Sequence, residues 1–188
     1  MEPAAPGADA IPARYPRPVT LADGGEVTVR LMSPDDVDAV VAFARSLAPE
    51  ELMYLRVNIT EPEAVQRWAH YVETGRTFTV LALDGERVVG EVSLLHSRTS
   101  WTRHIGEVRL QVAPVARRRG LARLLAEEIE WIARQMRLTM LTARMTLDQE
   151  AAQAFFRQLG FRREAVLWDY VMTADGTLHN LLIATKRL

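Results

Sequence analysis

Apolar positions recur along this chain at two periods. Val27, Val29 and Leu31 alternate with polar neighbours, which predicts a half-buried strand over residues 26–32. A shorter strand over 19–21 joins it across Asp23-Gly24-Gly25, a hairpin signature. Ser33-Pro34-Asp35-Asp36 then opens a helix. Ser33 caps it, Pro34 suits the first turn and the acids suit the helix dipole. Val37, Val40, Val41, Phe43 and Ala44 follow at helical spacing. Thr60-Glu61-Pro62-Glu63 reads as a capping box for a second helix carrying Val65, Trp68, Ala69 and Val72. Strands over 77–83 and 87–95 flank Asp84-Gly85, and a third from about 104 to 112 completes a meander. Leu121, Leu125, Ile129, Ile132 and Met136 form the apolar stripe of a helix over about 121–136. A strand at 140–145, a helix at 149–159 stopped by Gly160, and strands at 165–172 and 177–185 close the chain. This order predicts an α+β or mixed α/β domain with a largely antiparallel sheet covered by helices.

Composition narrows the setting. The 188 residues suit one domain. Residues 1–18 hold five of the nine prolines and no periodicity, so a flexible Pro/Ala-rich tail is expected there, with the domain over 19–188. Cysteine is absent, which rules out disulfides, thiolate metal sites and cysteine nucleophiles. Twenty-three basic against 24 acidic residues give a net charge of −1, no argument for nucleic acid or a membrane surface. No apolar run approaches the ~20 residues of a membrane span. The N-terminus lacks the basic start and apolar run of a secretory signal, so a cytoplasmic setting is expected. No two of His70, His96, His104 and His179 share a helix at i, i+4, and no metal is expected.

Chemistry concentrates between residues 111 and 125. A strand ends at Pro114, a basic loop of Arg117, Arg118 and Arg119 follows, and a helix begins at Gly120. Unpaired N–H groups at a helix start bind phosphate, glycine admits a bulky anion, and guanidinium forks add donors. Residues 102–123 hold six arginines and one glutamate, a local charge of +5 inside a near-neutral chain. The lone glycine is not a dinucleotide fingerprint, and the Gly-Lys-Ser/Thr end of a P-loop is missing. On spacing alone, a solvated basic loop before an ordinary helix fits equally well.

The pattern Val112-x-Pro114-x-x-Arg117-x-x-Gly120-x-Ala122 resembles the acyl-CoA-binding motif of the GNAT superfamily of N-acetyltransferases. Downstream, Ala152, Leu159, Gly160 and Phe161 match that family's second signature, a helix followed by Gly-Phe. The resemblance covers about residues 26–187. It implies a GNAT-like fold, a mostly antiparallel twisted sheet of about seven strands flanked by about four helices. It also implies acetyl-CoA as cosubstrate and an amine as acceptor. Backbone N–H groups from Arg118 through Arg119, Gly120 and Leu121 to Ala122 would wrap the CoA diphosphate, with Arg117 opening the motif. The strand through Leu110, Gln111 and Val112 would pair with pantetheine. Ser46-Leu47-Ala48-Pro49-Glu50 to Tyr54-Leu55-Arg56, and the ending from Asp169-Tyr170 to His179-Asn180-Leu181, resemble GNAT domains of bacterial protein-lysine acetyltransferases. This favours a protein lysine over a small amine as acceptor. A monomer or a homodimer is compatible with the sequence.

An alkylammonium, with a pKa near 10.4, must lose a proton before it attacks a thioester. Glu107 is the expected base, since several family members carry a glutamate on that strand. It shares a strand face with Arg109 and Gln111, and an ordinary ion pair with Arg109 is the alternative. Glu91, on the preceding strand, is the second candidate. Two positions depart from the family pattern. Phe156 replaces the tyrosine that would protonate the leaving thiolate, leaving Tyr54, Tyr71 and Tyr170 as substitutes. Gln149 replaces an asparagine, reaching a CoA group or closing a capping box with Thr146. A non-catalytic acyl-CoA sensor of the same fold is the competing expectation.

Overall fold

The computed structural model describes residues 10–52, 58–97, 101–173 and 175–188. Eight strands form one sheet in the order β1-β2-β3-β4-β5-β6-β8-β7. They are β1 (Arg17–Thr20), β2 (Glu26–Leu31), β3 (Thr77–Asp84), β4 (Arg87–His96), β5 (Ile105–Val112), β6 (Met140–Thr146), β7 (Arg162–Met172) and β8 (Leu178–Arg187). Every neighbouring pair is antiparallel except β5 with β6. The longer helices are α2 (Val37–Arg45), α4 (Pro62–Glu73), α5 (Leu121–Gln135) and α6 (Glu150–Gln158), with single turns α1 (Ala10–Ala13) and α3 (Pro49–Leu52). This is the mixed α/β GNAT-like fold, with eight strands where the family resemblance implied about seven.

The strand period of two divides the core. On one face Val80, Val92, Leu94 and Val108 pack against Leu121, Leu125, Ile129 and Ile132 of α5. On the other, Leu81 and Leu83 pack against Val40, Val41 and Phe43 of α2 and Val65 and Ala69 of α4. Each such side chain contributes roughly 1.5–3 kcal/mol on full burial. Both faces of β3 and β4 are covered, which is why their sequence reads as a continuous apolar run.

Two local expectations are corrected. Residues 10–18 of the expected loose tail are folded: Ile11 is fully buried, and β1 begins at Arg17, two residues before the expected strand. Arg14, Tyr15 and Arg17 all donate to the carboxylate of Glu128 on α5. Residues 1–9 lie outside the described part. The second correction concerns α4, whose N-cap is Glu61, not Thr60. Pro62 disfavours a helical conformation at the residue before it, and Glu61 is extended there. Thr60 instead hydrogen-bonds Asn58.

Candidate active site

The site is built where the sheet stops being continuous. β5 and β6 pair only from Ile105 to Val108 against Met140 to Ala143. Beyond that point residues 109–112 pair only with β4, and 144–146 only with β8. A cleft of about 400 Å³ lies along this gap, lined by Glu107, Leu110, Gln111, Gln149, Phe156 and Tyr170 among others. Leu110 and Gln111 line this cleft, and Val112 ends β5.

At one end of β5 the chain turns into the N-terminus of α5. Gly120 caps the helix with φ +84, a left-handed conformation that glycine adopts without penalty. Arg118 also has a positive φ, of 60. Leu121 is buried in the core and fixes the helix start, while Ala122 keeps the first turn small. The opening N–H groups of α5 have no carbonyl one turn earlier to bond, and they stay available as anion donors.

The arginines of this loop are more committed than their spacing suggests. Arg117 donates from Nε to the Val112 carbonyl at 3.0 Å and from Nη2 to Glu51 at 2.5 Å. Arg119 donates to Asp23 in the β1–β2 turn, whose Ala22 N–H donates to the Arg119 carbonyl at 3.1 Å. A Cβ on Gly25 would overlap the Arg119 guanidinium, so glycine lets the turn close on the loop. The Gly25 N–H and the Arg119 guanidinium hold Asp23 below the usual carboxylate range. Glu51 and Asp23 were not identified as site residues in the sequence, since each partner is far along the chain.

Glu107 faces the cleft as an ion-paired group. Arg109 donates to its Oε1 from Nε at 3.3 Å and Nη2 at 3.1 Å, and Arg144 Nε lies 3.4 Å from its Oε2. Gln149 accepts from the Thr146 N–H at 3.0 Å, one half of the expected capping box. The Thr146 hydroxyl is buried and, among the described residues, has no hydrogen-bond partner, so the other half does not form. Phe156 packs edge-on against Phe155 and Phe161. No hydroxyl stands at that position, but Tyr170, 63 % exposed, borders the same cleft. Tyr71 lines a different cavity, and Tyr54 lies outside the described residues.

That second cavity, of about 310 Å³, lies between α4 and the sheet face carrying Glu91, Ser93 and Arg109. Glu91 is 3 % exposed, and burial pushes its carboxyl up to about 7 against the smaller opposing effects of Ser93 and Arg109. The register sets Glu91 opposite Gln111 and Ser93 opposite Arg109, so one strand face carries both candidate carboxylates. Arg109 borders this cavity and the cleft alike. Among the described residues no cluster of three or more His, Cys, Asp or Glu is placed to hold a metal ion.

Residues 41–161 match the acetyltransferase (GNAT) family, and the chain belongs to it. N-alpha-acetyltransferase 30 of Schizosaccharomyces pombe is 21% identical over 146 residues, covering 76% of this chain and 96% of that protein. Among solved structures, the GNAT domain of S. lividans PAT aligns with a TM-score of 0.77 at 20% identity, covering 94% of this chain and 99% of that one. A putative acetyltransferase from Salmonella typhimurium, solved with its cofactor acetyl-CoA, gives 0.73 at 17% identity, covering 86% and 94%. The fold is related to that of bacterial protein acetyltransferases.

Proposed function

We propose that the protein transfers an acetyl group from acetyl-CoA directly to a primary amine, with a protein lysine as the favoured acceptor. The observation that carries this reading is the gap between β5 and β6, which opens a cleft leading to the N-terminus of α5. The residues present fit acetyl-CoA. The unpaired side of residues 109–112 offers backbone donors and acceptors to an extended chain. The first turn of α5, behind Gly120, offers N–H groups to a diphosphate. Bound there, acetyl-CoA supplies an activated thioester carbonyl.

Glu107 is the proposed base, set on the cleft wall to take the proton that an ammonium must lose. Arg109 and Arg144 orient its two oxygens. Tyr170 is the hydroxyl placed to return a proton to the departing thiolate, the role left open by Phe156. With no cysteine in the chain, acetyl cannot pass through a cysteine thioester of the enzyme. Transfer is a single displacement.

The test is free-thiol release from acetyl-CoA with lysine peptides and small amines as acceptors. We expect release with an amine present, and a fall of roughly 100-fold or more in Glu107→Gln. Binding of acetyl-CoA with no turnover on any amine would establish the sensor reading instead, which Phe156 favours.

A further inference from the structure

The edge strand β7 reaches a place that its position in the sheet does not give it. β8 lies between β7 and β6. Neighbouring strands stand about 4.8 Å apart, so a straight β7 would run about 10 Å from β6. Yet Tyr170 lines the cleft that opens between β5 and β6, together with Glu107. The chain crosses this distance by a bulge. β7 pairs with β8 at Leu167 and Leu181 and again at Val171 and His179, which leaves Trp168, Asp169 and Tyr170 opposite the single residue Asn180. Asp169 takes a left-handed φ of 51. Bulges bend a strand and re-aim its side chains.

Asn180 fixes the shape of this bulge from the strand opposite. Its Oδ1 accepts the Asp169 N–H at 2.9 Å, in place of the ladder bond lost there. Its backbone carbonyl accepts the Leu147 N–H at 3.0 Å, in the turn between β6 and α6 that leads to Gln149. His179, beside it, meets Asp148 of the same turn at 2.6 Å. Asn180 thus joins the bulge that carries Tyr170 to the turn that carries Gln149, and both of those side chains line the cleft. Asp169 is exposed, so water can take its N–H when Oδ1 is removed. The bond therefore adds little to stability, and its effect falls on where Tyr170 points.

We propose that Asn180 is a positioning residue for the transfer: it holds the β7 bulge so that the Tyr170 hydroxyl stands at the departing sulfur. The proposal rests on the transfer reading, with Tyr170 as its proton donor. The amine nitrogen bonds the carbonyl carbon and the C–S bond breaks. The proton then passes from Tyr170 Oη to the sulfur, and the tyrosinate regains one from solvent, to which this side chain is open.

The first measurement reads position without turnover. The chain has four tyrosines, so labelling with fluorotyrosine gives four fluorine resonances, and the one lost in Tyr170→Phe belongs to Tyr170. We expect added CoA to shift that resonance in the wild type and in Asn180→Asp, which keeps an accepting oxygen. In Asn180→Ala we expect no shift, although calorimetry gives all three proteins the same CoA affinity. An equal shift in Asn180→Ala, or none in the wild type, overturns the proposal. Should Asn180→Ala not fold, Asn180→Ser, whose hydroxyl stops one bond short, takes its place. Thiol release from acetyl-CoA then separates positioning from a purely structural role. Tyr170→Phe and Asn180→Ala should each lower kcat roughly tenfold or more, with KM for acetyl-CoA unchanged and the double variant no slower than Tyr170→Phe. Asn180→Asp should restore the rate. Losses that multiply in the double variant overturn the proposal. The two readings fail differently. A shift that depends on Asn180, with no thiol released on any amine, supports the placement of Tyr170 and removes the transfer. Full activity in either single variant removes the positioning and leaves the transfer.

Discussion

Glu91 carries a stability consequence apart from any ligand. Burial lifts its folded pKa to about 7 from an ordinary value of 4.5. Between those two values the folded state holds a proton that the unfolded chain has lost. Raising the pH through this window therefore destabilises the fold, by on the order of 3 kcal/mol at most, and the loss is complete above it. Glu91→Gln should remove the effect. Urea denaturation at pH 5 and pH 8 is expected to give a flatter profile for the variant, which is the more stable protein at pH 8. Glu128 acts in the opposite sense. Burial pushes its carboxyl up, but the hydrogen bonds from Arg14, Tyr15 and Arg17 outweigh this and hold it below 4.5. Its stabilisation is present above the unfolded value and is lost as the pH falls through the folded one.

At the scale of elements, Glu128 ties the N-terminal segment to α5. Its side chain is 2 % exposed and gathers two guanidiniums and a phenol from residues 14–17, while Arg14 also stacks over Trp131. Glu128→Ala leaves those donors without their acceptor and is expected to cost about 2–4 kcal/mol in urea denaturation. Limited proteolysis should then cut within residues 10–18 first. This element also marks where the sequence stops being readable. The stripe of α5 is a local period and was legible, as was the strand–loop–helix run from Val112 to Gly120. The fold of residues 10–18 was not, because only Ile11 is buried in the core there, and the side-chain ties to Glu128 reach more than a hundred positions along the chain. The same holds at the site. Gly120 and Phe156 could be placed from local motifs. The gap between β5 and β6 could not, and neither could the partners of Arg117 and Arg119. Each joins segments that no window of sequence contains together. Glu91 left one visible trace, a carboxylate inside the apolar run Val88-Val89-Gly90-Glu91-Val92.

Over the whole molecule, charge is distributed more evenly than the arginine run implies. Glu51 and Asp23 come from two distant segments and sit on Arg117 and Arg119. The loop over residues 117–119 is thereby held in shape, and its field is reduced. Both pairs are open to solvent and screened by it, so they hold the loop's shape more than they add stability. Replacing Glu51 by Gln should return the charge of Arg117 to the cleft and tighten acetyl-CoA by roughly fivefold in a calorimetric titration at low salt. The gain should shrink as salt approaches about 1 M, where screening reaches only about 3 Å. An unchanged affinity would mean that the guanidinium stays on the Val112 carbonyl with no carboxylate to hold it.

Arg109 stands on the wall between the two cavities, hydrogen-bonded to Glu107 and within the field of Glu91. One guanidinium cannot face both ways at once. A ligand that draws it towards the cleft withdraws positive potential from Glu91 and raises that group's proton affinity. Reciprocity then requires that protonating Glu91 strengthen the same ligand by an equal free energy. The two halves of the site are wired through a single side chain, and acidity in one is legible as affinity in the other.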